Sequence, residues 1–183
     1  MMSEENMIEG CKHAQHAACE ALYKKYATRL MAISMRYSST TFEAEDILQE
    51  SFIKIFHHIH TYTGKGAFEG WLKRIVVNTA VNHYHRNQRK AEQFIISDDS
   101  DYDVSSQQDD IIDRMSADDL IKLIQELPEG YRIVFNLYEI EGYSHKEIAE
   151  LLAISDGTSK SQLSKAKNLL RKLLLKSEYT PYE

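Results

Sequence analysis

Prolines are scarce in this 183-residue chain, two in all, and the seven glycines are few as well. So few breakers leave helices free to run, and Val, Thr and Ile nowhere alternate with polar residues for long, so strands are not expected. Two cysteines, Cys11 and Cys19, are too few for a disulfide framework and fit a reducing compartment. No apolar run approaches the roughly 18 residues of a membrane span. The acidic, polar start MMSEENMIEG does not read as a secretory signal. No P-loop, glycine-rich phosphate cradle or Ser–His–Asp order appears, so catalysis is not expected. The expectation is a cytoplasmic, all-α protein of one or two small domains that is not an enzyme and uses no cofactor.

Eight histidines invite a metal reading. Cys11, His13, His16 and Cys19 supply the residue types of a zinc site. On a single helix, however, they spread over more than half the circumference and cannot converge. His57, His58 and His60 span both faces of their segment. No metal is expected.

The formal charge of −6 hides a strong segregation. Residues 65–90 carry Lys65, Lys73, Arg74, Arg86, Arg89 and Lys90 against Glu69 alone. Residues 91–119 carry Glu92 and nine aspartates against Arg114. From Gly157 to Lys176 every charged residue is a cation. Two basic surfaces separated by an acidic strip suggest two contacts with nucleic acid, joined by a segment that avoids it. The strip contains the low-complexity run SDDSDYDVSSQQDD, Ser97 to Asp110, too poor in apolar groups to offset its ordering entropy. It reads as a flexible acidic linker, 93–116, between a first helical domain, 1–92, and a second, 117–183.

About four helices are expected before the linker, three of them with legible bounds. The first runs from near Ala14 to Tyr37. A second follows the S/T-x-x-E capping signal of Thr40 and Glu43 and carries an apolar stripe of Leu48, Phe52, Ile55, Phe56 and Ile59. Asp46, Gln49, Glu50 and Ile53 point elsewhere. After the glycine-broken loop TYTGKGAF, a long helix from Phe68 to Lys90 sets Trp71, Leu72, Ile75 and Val76 inward, with amides and cations on its other faces. Amides and cations beside aromatics can read exposed bases and follow a backbone. Beyond the linker, helices are expected over Ala117–Gln125 and Pro128–Glu139, closed by Gly142.

The stretch from Ser144 to Lys176 is the most specific. Ser144 and Glu147 make a second capping box, Ser155 can cap a following helix, and Asp156 suits its positive end. Leu163, Ala166, Leu170, Leu173 and Leu174 recur at helical spacing, which turns Ser161, Ser164, Lys165, Asn168 and Lys172 to the opposite face. Two short helices of which the second is cationic read as a helix-turn-helix with its second helix placed for a DNA groove. A stand-alone operator-binding regulator would share that motif. It would have no need of an acidic Asp46/Gln49/Glu50 face followed by a basic, asparagine-bearing helix.

Three blocks, EAEDILQESFIKIF, FEGWLKRIVVNTAVN and LPEGYRIVFNLYEIEGYSHKEIAELLAISDGTSKSQLSKAKNLL, resemble in order and spacing the bacterial RNA polymerase sigma factors of the sigma-70 family, in their small extracytoplasmic-function (ECF) group. The resemblance implies a transcription initiation factor that directs core polymerase to −35 and −10 promoter elements and assists melting. It implies as partners the β′ clamp helices and β flap of core RNA polymerase, promoter DNA and an anti-sigma factor. Asp46, Gln49 and Glu50 match the polymerase-binding positions. Phe68, Lys73, Arg74, Asn78, Asn82, Arg86 and Arg89 match the −10 region, and Lys160, Ser161, Gln162, Ser164 and Lys165 the −35 reader. Ser159 stands where the family commonly has valine, which predicts one weaker packing contact. Gln162, Lys165 and Lys167 stand where the family frequently has arginine, which leaves the base preference open.

Overall fold

The computed structural model describes residues 2–93 and 117–178, so nearly all of the expected linker lies outside the described residues. Those residues are helical, without strands. By their contacts they fall into two compact units, Met1–His83 and Tyr84–Glu183, the last turns of the longest helix being counted in the second.

The first unit is built from α1 (Glu4–Lys12), α2 (His16–Tyr37), α3 (Thr41–His58) and the greater part of α4 (Phe68–Gln93). Helix α1 was not anticipated. Ser3 caps it by accepting from the Asn6 N–H, Glu4 and Glu5 suit its first turn, and it buries Met7, Ile8 and Cys11. Gly10 lets it lie close to α2, because a Cβ there would stand 2.5 Å from that of Ala18. Leu22, Tyr26, Leu30, Ile55, Leu72 and Val76 form the core, each 1% exposed or less. The Tyr26 hydroxyl donates to Glu4, which also pairs with Lys25 at 3.2 Å. Thr40 caps α3 by accepting from the Glu43 N–H. The returning Glu43 carboxylate accepts from the N–H of Ser39 at 2.9 Å, so the box closes one residue early. A 3₁₀ turn (Ile59–Thr61) ends α3, and Gly64 and Gly66, at φ +77° and +82°, turn the chain into α4.

The second unit contains the end of α4, then α5 (Ala117–Gln125), α6 (Glu129–Phe135), α7 (His145–Leu152) and α8 (Asp156–Glu178). Pro128 stands just ahead of α6 rather than inside it. The helix expected to reach Glu139 changes at Asn136 into a π-helical turn (Asn136–Ile140). The buried Asn136 side chain donates to the Arg132 carbonyl there, and Gly142, at φ +78°, closes the segment. Leu123, Ile124 and Leu127 pack on Ala166, Leu170 and Leu174, which sets α5 against α8.

Candidate functional site

Three surfaces carry the chemistry. The first is the outward side of α3. Asp46 and Gln49 are exposed, as are Phe42 and Ile53. At helical spacing these four lie along one side of α3. An acidic helix face bordered by exposed apolar groups suits a basic partner with an apolar component. Glu50 differs from its neighbours. Its side chain is 29% exposed and both carboxylate oxygens are engaged, Oε1 by Lys54 Nζ at 2.7 Å and Oε2 by His83 Nε2 at 2.9 Å.

The second surface follows α4. Arg74, Asn78, Asn82, Arg86 and Arg89 are exposed and recur every three or four residues, so they form one stripe along the helix. Lys73 is half-buried beside it. Phe68, expected with this group, is 2% exposed. It meets Tyr26 and Tyr62 edge-on and stacks on Trp71 at 5.6 Å. At the first position of α4 the ring faces the core, so it anchors the helix and is unavailable to nucleic acid. Trp71 is half-buried against the same ring. In the last turns of α4, His85 bonds the Leu151 carbonyl at 3.0 Å and the Asn87 amide donates to Glu129 at 2.8 Å. Burial, reinforced by the Glu129 charge, raises the Tyr84 hydroxyl above its ordinary pKa.

The third surface is the helix-turn-helix. Both halves of the capping box at the start of α7 are formed. The two hydrogen bonds from Ser144 to the Glu147 carboxylate hold its pKa below the usual value. The turn places Ala153 at φ +55°, a left-handed position that glycine more often fills. Ser155 caps α8 by accepting from the Thr158 N–H at 2.9 Å. On α8, Lys160, Ser161 and Ser164 are exposed and Lys165 is half-buried. Lys160 pairs with Asp156 at 2.6 Å, an exposed i, i+4 pair that solvent screens.

Gln162, expected among the base readers, turns inward. A Cβ at Gly130 of α6 would lie 3.2 Å from its Nε2, and its Oε1 is buried without a hydrogen-bond partner. Ser159 is fully buried and hydrogen-bonds His145 Nδ1 at 2.9 Å, so a polar tie from α7 to α8 takes the place of the weaker packing contact expected from its sequence. The His145 ring also stacks on Tyr138 at 4.4 Å. Sequence reasoning missed the ties of His145 to Ser159, of His83 to Glu50 and of Lys54 to Thr79, which span 14, 33 and 25 residues and lie beyond the reach of periodicity.

The cysteines and histidines of α1 and α2 do not assemble. Cys11 is buried beside Cys19, and burial first and then that second thiol push its pKa up to about 12. His13 faces out to pair with Glu9 at 3.1 Å. Among the described residues no helix is long and apolar enough to cross a membrane.

The chain is similar to known proteins across both units. The family model described as Sigma-70 region 2 matches residues 22–90, and that described as Sigma-70, region 4 matches residues 117–170. The RNA polymerase sigma-H factor of Pseudomonas aeruginosa is 28% identical, with 93% of each chain covered. The ECF RNA polymerase sigma-E factor of Haemophilus influenzae is 29% identical, covering 92% of this chain and 94% of that one. A solved structure of the sigma factor RpoE with the anti-sigma factor NepR, from Bartonella quintana, is 22% identical, with a TM-score of 0.49 over 86% of this chain and 96% of that chain.

Proposed function

Because the chain belongs to the sigma-70 family of RNA polymerase sigma factors, in its ECF group, and is thereby a transcription initiation factor that binds RNA polymerase, we propose a division of labour among its three surfaces. The acidic side of α3, Asp46 and Gln49 with Glu50 beside them, docks on the basic β′ clamp helices of core polymerase. The α4 stripe of Arg74, Asn78, Asn82, Arg86 and Arg89, with Lys73, engages the −10 element. Lys160, Ser161, Ser164 and Lys165 of α8 face the −35 element. Residues 1–92 and 117–183 act as the two domains, joined by the acidic segment 93–116. The factor works in the cytoplasm, catalyses no reaction itself, and has the β flap and an anti-sigma protein as its further partners.

The observation that carries this reading is the presence of both sigma-70 regions, in order, in one chain. A stand-alone helix-turn-helix regulator accounts for the second alone. Mechanistically, the asparagines supply hydrogen bonds to an extruded −10 base whose unpairing costs a few kcal/mol, so capture drives opening without a nucleotide cofactor. The arginines neutralise phosphates along the same helix, and the net charge of −6 keeps the free protein from coating DNA.

Run-off transcription with core polymerase, with and without this protein, is the direct test. Specific transcripts should appear only when it is present; DNA binding without polymerase and no gain in transcripts would favour the regulator. Asp46→Arg should weaken core binding roughly tenfold or more while leaving the unfolding temperature unchanged, since the side chain is exposed. Lys160→Ala and Lys165→Ala should each lower use of promoters that carry a −35 element and reduce the log–log salt slope by about 0.9 per lost phosphate contact. A slope equal to wild type in both would remove α8 from the DNA.

A further inference from the structure

Glu50 is claimed twice. Its place beside Asp46 and Gln49 assigns it to the polymerase, yet its two oxygens hold Lys54 and His83 at 2.7 and 2.9 Å. Lys54 reaches on to α4, donating to Thr79 Oγ1 at 3.2 Å, and the fully buried Thr79 in turn donates to the Ile75 carbonyl at 2.8 Å. One part-buried polar chain thus ties α3 to α4 at Thr79 and His83, each the immediate neighbour of an exposed asparagine, Asn78 and Asn82.

We propose that His83 and the polymerase compete for Glu50, so that His83 is a positioning residue that holds α4 to α3 in the free protein and is displaced when core polymerase docks. The proposal rests on the docking role given to α3 above. With both oxygens occupied and the side chain 29% exposed, an incoming cation meets a carboxylate already shared with a lysine and an imidazole. It must displace one of them or crowd like charges around a single acceptor. The half-buried setting makes each exchange count, because hydrogen bonds to a charged group are the stronger ones and solvent replaces them poorly. By linkage, whatever holds Glu50 in the free protein lowers its affinity for core, and docking in turn loosens the tie beside Asn78 and Asn82. Asp46 and Gln49 are exposed and are not held in this way.

The sign of the effect separates this from an ordinary structural contact. A merely structural His83 would lose both stability and binding when removed. A competing His83 loses stability and gains binding. The experiment titrates full-length protein with core RNA polymerase and follows thermal unfolding of the same samples, comparing wild type with Glu50→Gln, His83→Phe, His83→Gln and Lys54→Met. Phenylalanine keeps a ring without a donor, glutamine keeps a donor, and methionine keeps the lysine stem without its charge. Glu50→Gln should bind core roughly tenfold or more weakly, having lost its charge but kept a hydrogen-bonding oxygen. His83→Phe should bind roughly three- to tenfold more tightly while unfolding at lower temperature. His83→Gln should return to within about twofold of wild type. Lys54→Met should shift in the same direction as His83→Phe, which keeps the test decisive if the phenylalanine variant folds poorly. Glu50→Gln weakened with neither His83→Phe nor Lys54→Met tightened overturns the competition alone. Glu50→Gln unchanged overturns the docking of Glu50 itself, and the competition with it.

Discussion

Replacing Asn78 and Asn82 together by leucine should lower promoter opening about 100-fold while core binding and thermal stability hold. Both side chains are exposed on α4 and neither packs in the core, so the fold loses little by their exchange. Leucine is also the better helix former. What disappears is the hydrogen bonding available to unpaired bases. If each asparagine hydrogen bond to the extruded base contributes about 1.5 kcal/mol, losing both removes roughly 3 kcal/mol from the open complex, and about 1.4 kcal/mol corresponds to a factor of ten. Opening is read by the fluorescence of 2-aminopurine in the −10 element, with core affinity measured in parallel. Wild-type opening by the double variant would take the −10 role away from these positions. The sequence could offer the two asparagines because helical spacing alone puts them on a common stripe with Arg74, Arg86 and Arg89.

Other assignments went beyond what spacing decides. The capping box of Ser144 and Glu147 was legible because both partners lie within four residues, and both halves of it form. The Thr40 box was legible only in part, because Glu43 returns to Ser39. Helix α1 was missed since its buried residues, Met7, Ile8 and Cys11, span little more than a turn, too short for a periodic signal. Its marks were there in Ser3, Glu4 and Glu5. Phe68 and Gln162 show a sharper boundary. Periodicity gives the angle of a side chain about its own helix but not which other helix meets it. Tyr26 and Tyr62 claim Phe68, and the gap left by Gly130 admits Gln162. The ties of Glu50 to His83 and of His145 to Ser159 span separations of 33 and 14 residues, so local patterns could not announce them.

Arg132→Met should destabilise the second unit by about 3 kcal/mol. Arg132 is 4% exposed, and its Nη1 donates to the carbonyls of Gln125 at 2.8 Å and Leu127 at 3.0 Å. Those carbonyls belong to the end of α5 and the chain just beyond it, where the helix no longer supplies donors of its own. The guanidinium therefore does for α5 what a C-cap would, and joins it to α6. Methionine fills much of the volume but donates nothing. The Leu127 carbonyl then stays buried and the Gln125 carbonyl part-buried without that partner, at about 1–3 kcal/mol for the first and less for the second. Lysine should recover only part of the loss, because its ammonium is more strongly hydrated and sits on a flexible stem that is not pre-organised for two acceptors. Since about 1 kcal/mol moves the midpoint of a 60–100-residue domain by 4–8 °C, the change should approach or exceed 12 °C. Hydrogen exchange followed by residue should place the effect in α5, α6 and α8 and leave α2 and α3 protected as before. A midpoint within about 3 °C of wild type would mean that water or another group satisfies both carbonyls. The functional consequence follows from the packing. Leu123, Ile124 and Leu127 of α5 and its exit lie on α8, the helix that presents Lys160 and Lys165. An α5 that frays should therefore weaken −35-dependent transcription well before it affects binding to core polymerase through α3.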